Sequence, residues 1–482
     1  MNAPAKTPAK VSKNPWERAR DRVREVGGDE LCERLEHLDA MRVELGASRD
    51  AEIAPADDDA TTDYDVAMIG GGLSLLLAPL LAARGLRVAV FDRARIGAAH
   101  REWNGSTAEV KALSDSGVFS PEELASLVVA QYDYGVCRWH EGGSYPVHRV
   151  LDMAVDAGGL LRIARERSET RGVHLYDGHT LSGMAAGRNH VALRFRSTDG
   201  GTQQVTAKVA VDARGASSPY ASADLVCPTV GGVLRGLREG DDNRAMNPRV
   251  GDILATTEHV EEQRQHIWEA FPGRRGETTV YLFYYDLSDR VGPGSLMKLY
   301  ARFFERLPVY KDGDAQMIRP TFGYIPGWSR LVPAPRPLSP RVVLVGDAAA
   351  RHSPLTFCGF GNTVRGLGVT ADRIVRAMDG AVLEPEDAPI HAGTGALARM
   401  MATPPSAPGR EHELNALLDA AFSVLHGMGD EAYGALLRDE MFPGEFIRFL
   451  HKTSLKRPQV YREVFTTFGI GKVGRWGANV LR

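Results

Sequence analysis

The pattern of apolar and polar positions is clearest between residues 63 and 93. An apolar run from Val66 to Ile69 ends in three glycines, an Ala/Leu-rich run continues to Gly85, and a second apolar run ends at Asp92. Short apolar runs bounded by glycine are typical of buried strands, and the longer run between them is typical of a buried helix. The pattern therefore predicts a strand, a glycine turn, a helix and a second strand.

This arrangement predicts a dinucleotide site. Gly70, Gly71 and Gly72 would let the backbone approach a pyrophosphate, whose charge the helix N-terminus attracts. Asp92, followed by Arg93, stands about 20 positions further on, where an acid accepts a hydrogen bond from a ribose hydroxyl. Leu75 replaces the third glycine of the fingerprint. The alternative is a glycine turn with a purely structural role.

The flanking segments are predicted from their periodicity. Residues 14–50 read as a helix with one apolar stripe, and residues 51–63 as an acidic linker. Further along the chain, the patterns predict the following elements: loop and short helix at 97–120, a helix that follows Tyr145 and ends near Gly172, strands at 190–197, 202–211 and 279–285, a helix at 296–307, and helices after a linker at 404–408.

The order of these elements predicts an α/β fold. It comprises a Rossmann-like parallel sheet, an inserted α+β substrate domain, and helical N- and C-terminal extensions. Pro333–Pro340 leads back from the insertion to a buried strand at Arg341–Val345. The predicted divisions are residues 1–62 (tail, helix and linker), 63–223 (nucleotide-binding domain, first part), 224–332 (substrate-binding insertion), 333–380 (nucleotide-binding domain, second part) and 381–482 (helical C-terminal region).

Composition narrows the class of protein. The net charge of −3 argues against a nucleic-acid binder. The four cysteines form no CxxC pair, so neither a disulfide framework nor a metal site is indicated, and a reducing cytoplasm fits. The N-terminus lacks the apolar core of a signal peptide, and Leu73–Ala83 is too short to span a bilayer. We expect a cytoplasmic protein that is soluble or peripheral on the inner face of the membrane.

A second glycine-rich junction lies far along the chain. Val345-Gly346-Asp347-Ala-Ala, Pro354 and Gly359-Phe-Gly361-Asn362 resemble the second FAD motif of the glutathione-reductase-type flavoprotein monooxygenases. The resemblance implies that Asp347 binds the ribityl chain of FAD. It also implies that Asp212-Ala-Arg-Gly215 is the middle motif of the cofactor site and that Arg149 lies near the cofactor. FAD is therefore favoured over NAD.

Further motifs resemble the CruA/CruP-type lycopene cyclase family, from about residue 60 to the C-terminus. They are Glu102-Trp103-Asn104, Ser217-Ser218-Pro219, Thr279 to Asp286, and Ser353 to Gly361. Leu75, Gly105, Cys358 and the N-terminal tail depart from the family pattern. The resemblance implies an acid-catalysed, non-redox cyclisation of the end groups of a long apolar polyene. Reduced FAD would take part in that reaction without being consumed.

Such a reaction needs a carboxylic acid that an apolar setting keeps protonated. Asp286 is the first candidate, because it ends an apolar and aromatic run, and its alternative is a solvated residue at a strand end. Glu102 is the second candidate, with Trp103 as its stacking partner and Asn104 as its orienting group, and its alternative is a residue of the cofactor loop. For His352 and Cys358 we favour loop and packing roles.

The segment 441–482 carries eight basic and two acidic residues together with Phe446, Ile447, Phe449, Leu450 and Leu455. It could lie on an anionic membrane surface and fetch an apolar isoprenoid or carotenoid substrate, or it could pack on its own domain.

Two other functions stay open. One is a redox flavoenzyme, either a monooxygenase or a polyprenyl reductase that uses NAD(P)H. The other is a catalytically silent flavin-binding paralogue. The Trp-x-Trp-x-Ile-Pro signature of flavin halogenases is absent.

Overall fold

The structure is a computed structural model. It describes residues 13–47, 53–56, 61–99, 102–221, 223–274, 276–292, 294–329, 339–349, 355, 359–380, 392–405, 408–469 and 471. The strands are β1 Ala54–Pro55, β2 Tyr64–Ile69, β3 Val88–Phe91, β4 Glu102–Gly105, β5 Val128–Gln131, β6 Tyr134–Arg138, β7 Ser144–Val147, β8 Met153–Asp156, β9 His174–Tyr176, β10 His179–Ala186, β11 Val191–Ser197, β12 Thr202–Asp212, β13 Leu225–Leu237, β14 Val250–Ala255, β15 Ile267–Pro272, β16 Thr278–Phe283, β17 Asp286–Leu287, β18 Gly313–Gly327 and β19 Val342–Leu344.

The α-helices are α1 Pro15–Ala47, α2 Leu77–Ala83, α3 Thr107–Asp115, α4 Pro121–Leu127, α5 Ala157–Thr170, α6 Ser295–Tyr310, α7 Gly359–Arg365, α8 Leu367–Met378, α9 Ala392–Ala402, α10 Glu413–Met428, α11 Asp430–Leu437, α12 Pro443–Lys456 and α13 Gln459–Phe468. Short 3₁₀ turns lie at Leu73–Leu76, Gly215–Ser217 and Gly346–Ala349.

The first sheet has the order β1-β10-β11-β12-β2-β3-β9, and β19 also pairs with β12. The pairs β12–β2, β2–β3, β3–β9 and β12–β19 are parallel. β2 is buried on both faces, which explains why Val66 to Ile69 read as one continuous apolar run. The predicted strand, glycine turn, helix and strand are confirmed, and so is the α/β fold class with its parallel sheet.

The second sheet has the order β17-β13-β16-β15-β14-β6-β7, and β18 also pairs with β13. One face packs against α1 and α6, and the other face packs against the C-terminal helices α9 to α12. β6 and β7 come from within the region 63–223, so this sheet is not built from the inserted residues alone.

A third sheet has the order β4-β8-β5. Its strands come between β3 and β9 of the first sheet along the chain. The prediction of loop at 97–120 was wrong for residues 102–105, which form β4, and the segment after Tyr145 forms β7 and β8 before α5 begins. The reason is tertiary, because β4 pairs with β8 some 50 residues away, from Glu102 opposite Asp156 to Gly105 opposite Met153.

The N-terminal helix is confirmed over the described residues, although Gly28 interrupts it with a φ of 80°. Leu31 and Leu35 are buried against α6, so the apolar stripe packs on the α6 side of the second sheet. The linker contributes β1, which pairs with β10, and residues 57–60 lie outside the described part.

The C-terminal region is helical, as predicted. Phe446 and Phe449 of α12 are buried in the core beneath the second sheet, whereas Ile447 and Leu455 are 38% and 72% exposed. The stripe predicted in 441–482 is therefore divided between the core and the surface. Across the described residues, no helix combines the length and the apolar character that a membrane span requires.

Candidate active site

Three turns meet at the carboxyl edge of the first sheet. Ile69 of β2 pairs with Asp212 of β12, and Asp212 pairs on its other side with Leu344 of β19. Each strand is followed by a turn with a glycine at positive φ: Gly70 at 113°, Gly215 at 63° and Gly346 at 60°. Backbone amides from three distant segments are therefore gathered at one edge, which is where open α/β sheets bind ligands.

The first turn requires glycine for two separate reasons. A Cβ at Gly70 would lie 2.7 Å from the carbonyl carbon of Ala213, and the φ of 113° is one that side chains disfavour. At Gly72, by contrast, a Cβ would meet nothing within 4 Å. Open space therefore lies in front of the turn that begins the helical run. Leu75 is fully buried in the core and takes no part in this space.

Asp92 is held beside this turn by two hydrogen bonds. Its Oδ2 accepts from the Gly71 amide at 2.7 Å, and its Oδ1 accepts from the Ala94 amide at 2.8 Å. A carboxylate has about four acceptor positions, so the expected bond to a ribose hydroxyl can still be made. Arg93 lies exposed beside it.

Asp212 is fully buried and braces the middle turn. Its carboxylate accepts from Arg214 Nη2 at 2.8 Å and from Ser218 Oγ at 2.6 Å. A Cβ at Gly215 would lie 4.0 Å from the Cβ of Asp347, so the middle motif touches the second motif. These contacts indicate that Asp212 orients the turn that a cofactor would meet.

The second motif is described in part. Asp347 is half-buried in the turn after β19, and Gly359 to Asn362 form the start of α7, as predicted. Pro354, His352 and Cys358 lie outside the described residues.

The Glu-Trp-Asn strand β4 packs directly on this second motif. The rings of Trp103 and Phe360 are 5.5 Å apart, and a Cβ at Gly105 would lie 2.9 Å from the Phe360 ring. At Gly361 a Cβ would lie 2.5 Å from the carboxyl carbon of Glu109, so glycine at this position lets α3 approach α7. Glu109 also forms an ion pair with Arg365 of α7.

Arg149 lies between β7 and β8. It is exposed, has a φ of 61°, and its carbonyl oxygen accepts a hydrogen bond from Arg438 at 3.4 Å. The carbonyl oxygen of Arg438 in turn accepts a hydrogen bond from the side chain of Arg365 in α7. Arg149 is thus linked to the second motif through two intermediaries.

The first predicted acid, Asp286, is fully buried and not solvated. Its Oδ2 lies 3.2 Å from Arg264 Nε, and its Oδ1 lies 3.1 Å from Arg290 Nε. The Leu287 amide also donates to it at 2.8 Å. Two guanidinium groups and a backbone amide therefore surround this carboxyl group.

The second predicted acid, Glu102, is also buried. Its Oε1 lies 3.7 Å from both Arg274 and Arg319, and its Oε2 is buried without a hydrogen-bond partner. Its side chain reaches the end of β15, where a Cβ at Gly273 would lie 3.8 Å from the Glu102 carboxyl carbon.

Glu269 is among the buried carboxyls that the sequence pattern did not single out. Glu269 lies in the middle of β15, within the otherwise uncharged run Ile267–Pro272. Burial raises its pKa well above the usual range of a glutamate. A single acid inside an apolar strand is the signal that could have identified it.

The second sheet meets the second glycine motif through its helix-covered face. Leu355, from the motif, belongs to the same apolar cluster as Ile267, Phe271 and Phe283. The Tyr285 hydroxyl donates to the Leu355 carbonyl oxygen at 2.6 Å. This apolar sheet face and the glycine turns are therefore neighbours.

No protein-family model matches the sequence, and no curated protein matches it at a significant level. Solved structures share its fold at low identity. A geranylgeranyl bacteriochlorophyll reductase-like protein of Thermoplasma acidophilum is 15% identical, with a TM-score of 0.54 over 84% of this chain and 99% of that chain. A flavoprotein/dehydrogenase of Cytophaga hutchinsonii is 13% identical, with a TM-score of 0.56 over 83% and 98%.

The halogenase PltM, solved in complex with phloroglucinol and FAD, is 14% identical, with a TM-score of 0.54 over 86% of this chain and 96% of that chain. The chain shares the fold of these three proteins, of which one is named a flavoprotein and another was solved with FAD bound. A lycopene cyclase is not among these three structures.

Proposed function

We propose that the chain binds one FAD across the carboxyl edge of β2, β12 and β19. Three positive-φ glycine turns in register and the open space before Gly72 support this proposal. Asp92 and Asp347 would bind the two sugar-like parts of the cofactor, and the amides of the first turn would bind the pyrophosphate. Bound FAD would supply a flavin ring whose reduced, anionic form stabilises positive charge.

The purified protein should be yellow and show a flavin absorption spectrum. Protein that is colourless and cannot be reconstituted with added FAD would remove this part of the proposal.

We further propose that the protein cyclises the end group of a long, acyclic, carotene-like polyene without net redox change. The observation that carries this proposal is the packing of the Glu-Trp-Asn strand on the second glycine motif, through Trp103 and Phe360. The apolar face of the second sheet lies beside the same motif and suits a hydrocarbon substrate.

The chain's own side chains would carry the chemistry. Trp103 offers an aromatic surface to a developing cation. Asp286, held by Arg264 and Arg290, would position the end of the second sheet. Excluding water from the apolar face would protect a carbocation from hydration.

Expression in a host that accumulates an acyclic carotene tests this function. The expected result is a cyclic isomer, formed with the flavin reduced, without oxygen and without consumption of NAD(P)H per turnover. A hydrogenated or oxygenated product that consumes NAD(P)H in proportion would favour a polyprenyl reductase or a monooxygenase. An unchanged pigment would favour a catalytically silent flavin-binding paralogue.

We also propose that α12 lets the protein bind an anionic membrane surface, where such a substrate is dissolved. Phe442, directly before α12, and Leu455 within it are 74% and 72% exposed. The helix also carries the basic residues Arg448, Lys452 and Lys456. Pelleting with anionic liposomes should fall with rising salt and on combined Phe442→Ser and Leu455→Ser substitution. Val369→Ser, at a 55% exposed position on α8, is the matched control. Equal pelleting of all variants would contradict the proposal.

A further inference from the structure

Glu269 lies on the apolar face of the second sheet that neighbours the glycine motif. Side chains alternate along β15: Trp268 and Ala270 belong to the cluster that contains α6, and Ile267 and Phe271 belong to the cluster that contains Leu355. The alternation places Glu269 on the same face as Ile267 and Phe271. Its carboxyl group is therefore directed to the side where the proposed substrate would lie.

The carboxyl group of Glu269 is buried and has no partner among the residues that the structure describes. The residue is 8% exposed, and its Oε1 is buried with no hydrogen bond. Within the described part of the chain, neither an ion pair nor a hydrogen bond to this side chain is formed, whereas Asp286 and Glu102 each have two arginines within 4 Å. An isolated carboxylate is strongly disfavoured in such a place, so the neutral acid is the stable form.

The titratable groups that sense the charge of Glu269 are also neutral. They include Cys137, Cys227 and Tyr310, and burial raises the pKa of each, to about 12 for Cys137. Tyr281 of β16 lies directly opposite Glu269 in the sheet. Burial is also the cause that raises the pKa of Glu269 itself. Among the described residues no cation forms an ion pair with Glu269 to compensate its ionisation, so its proton is held until an acceptor arrives.

We propose that Glu269 is the catalytic acid that protonates the substrate, an acyclic polyene bound on this face of the second sheet. The inference rests on the proposed cyclisation. In the step, the O–H bond of Glu269 breaks and a C–H bond forms at the terminal double bond. The π electrons of the terminal double bond make this C–H bond and leave a carbocation, and the π electrons of the next, separated double bond attack it to form the C–C bond of the ring. Loss of a proton from a ring carbon, returned to the carboxylate, gives an isomer of the substrate and restores the acid.

The test compares Glu269→Gln, Glu269→Asp, Asp286→Asn and the wild type. Gln has nearly the same shape but no acidic proton, and Asp restores the acid on a shorter side chain. We expect Glu269→Gln to retain its flavin and lose roughly 10²–10⁴-fold in cyclisation rate, with partial recovery in Glu269→Asp. Full turnover by a folded, flavin-loaded Glu269→Gln variant would overturn the proposal.

Infrared spectroscopy gives a readout that does not depend on activity. The wild type should show at neutral pH a carbonyl stretch of a protonated carboxyl, which Glu269→Gln lacks and Asp286→Asn, the matched control, retains. If the wild type and Glu269→Gln absorb equally in this band, Glu269 is not protonated at neutral pH and the proposal is wrong. A wild type that has the band but forms no cyclic product overturns the proposed function, and with it the transfer to a polyene, while the neutral acid stands.

Discussion

The buried, unpartnered state of Glu269 predicts an unusual dependence of stability on pH. The folded protein holds the proton because burial raises the pKa of Glu269, whereas the unfolded chain releases it near the ordinary value of 4.5. Below that value the group is neutral in both states, so its ionisation does not change the free energy of unfolding. Above it the unfolded chain gains by ionising, so the contribution of Glu269 to stability is lost as pH rises towards its folded-state pKa.

The magnitude follows from proton linkage. For each pH unit in which Glu269 is protonated only in the folded state, the free energy of unfolding falls by about 1.4 kcal/mol. Glu269→Gln cannot ionise and does not have this loss. The variant should therefore become progressively more stable than the wild type as pH rises, by roughly 2–4 °C in Tm for each kcal/mol in a domain of moderate size.

The assay is thermal unfolding of both proteins between about pH 5 and 8. Other groups, including Glu109, whose pKa burial also raises, are common to both proteins and cancel in the difference. Asp286→Asn is the control, because it removes another buried carboxyl of the same sheet, one that two arginines contact. A Tm difference between Glu269→Gln and the wild type that is flat with pH, or that grows as pH falls, would refute the reasoning.

Three further outcomes are expected. Gly70→Ala should lower both Tm and flavin content, because its Cβ would meet the Ala213 carbonyl. Gly72→Ala should weaken flavin binding with little change in Tm, because its Cβ would meet no protein atom within 4 Å. Equal Tm values for the two variants would contradict this prediction. Asp347→Ala should fold and come out pale, and retained flavin absorbance would remove its assigned role. Asp286→Asn should lose roughly 2 kcal/mol of stability, since two partly exposed arginines lose their carboxylate, and an unchanged urea midpoint would argue against these ion pairs.

Local patterns were sufficient for the strand, glycine turn, helix and strand between residues 63 and 93. The run Val66 to Ile69 is apolar at every position because β2 is buried on both faces, and Gly70 follows it because a φ of 113° beside the Ala213 carbonyl leaves no room for a side chain. The amphipathic helices α1 and α6 were likewise predictable, since their buried faces repeat at the helical period.

Pairing between distant segments could not be predicted in this way. β4 is a strand because β8 supplies its hydrogen-bond partners, and β6 and β7 join the second sheet through β14, although they precede it by about a hundred residues. These contacts depend on the path of the whole chain and leave no periodic signal in a short window.

The acids were decided by tertiary structure alone. Sequence placed Asp286 after an apolar run and so suggested an acid in apolar surroundings, yet two arginines from other positions converge on it. Glu269 stands out in the sequence as the single acid of an apolar strand, but only the fold encloses it without a partner among the described residues. The residue type determines which protons a side chain can hold, but the charges and solvent around it determine whether it holds them, and only the folded chain brings those neighbours together.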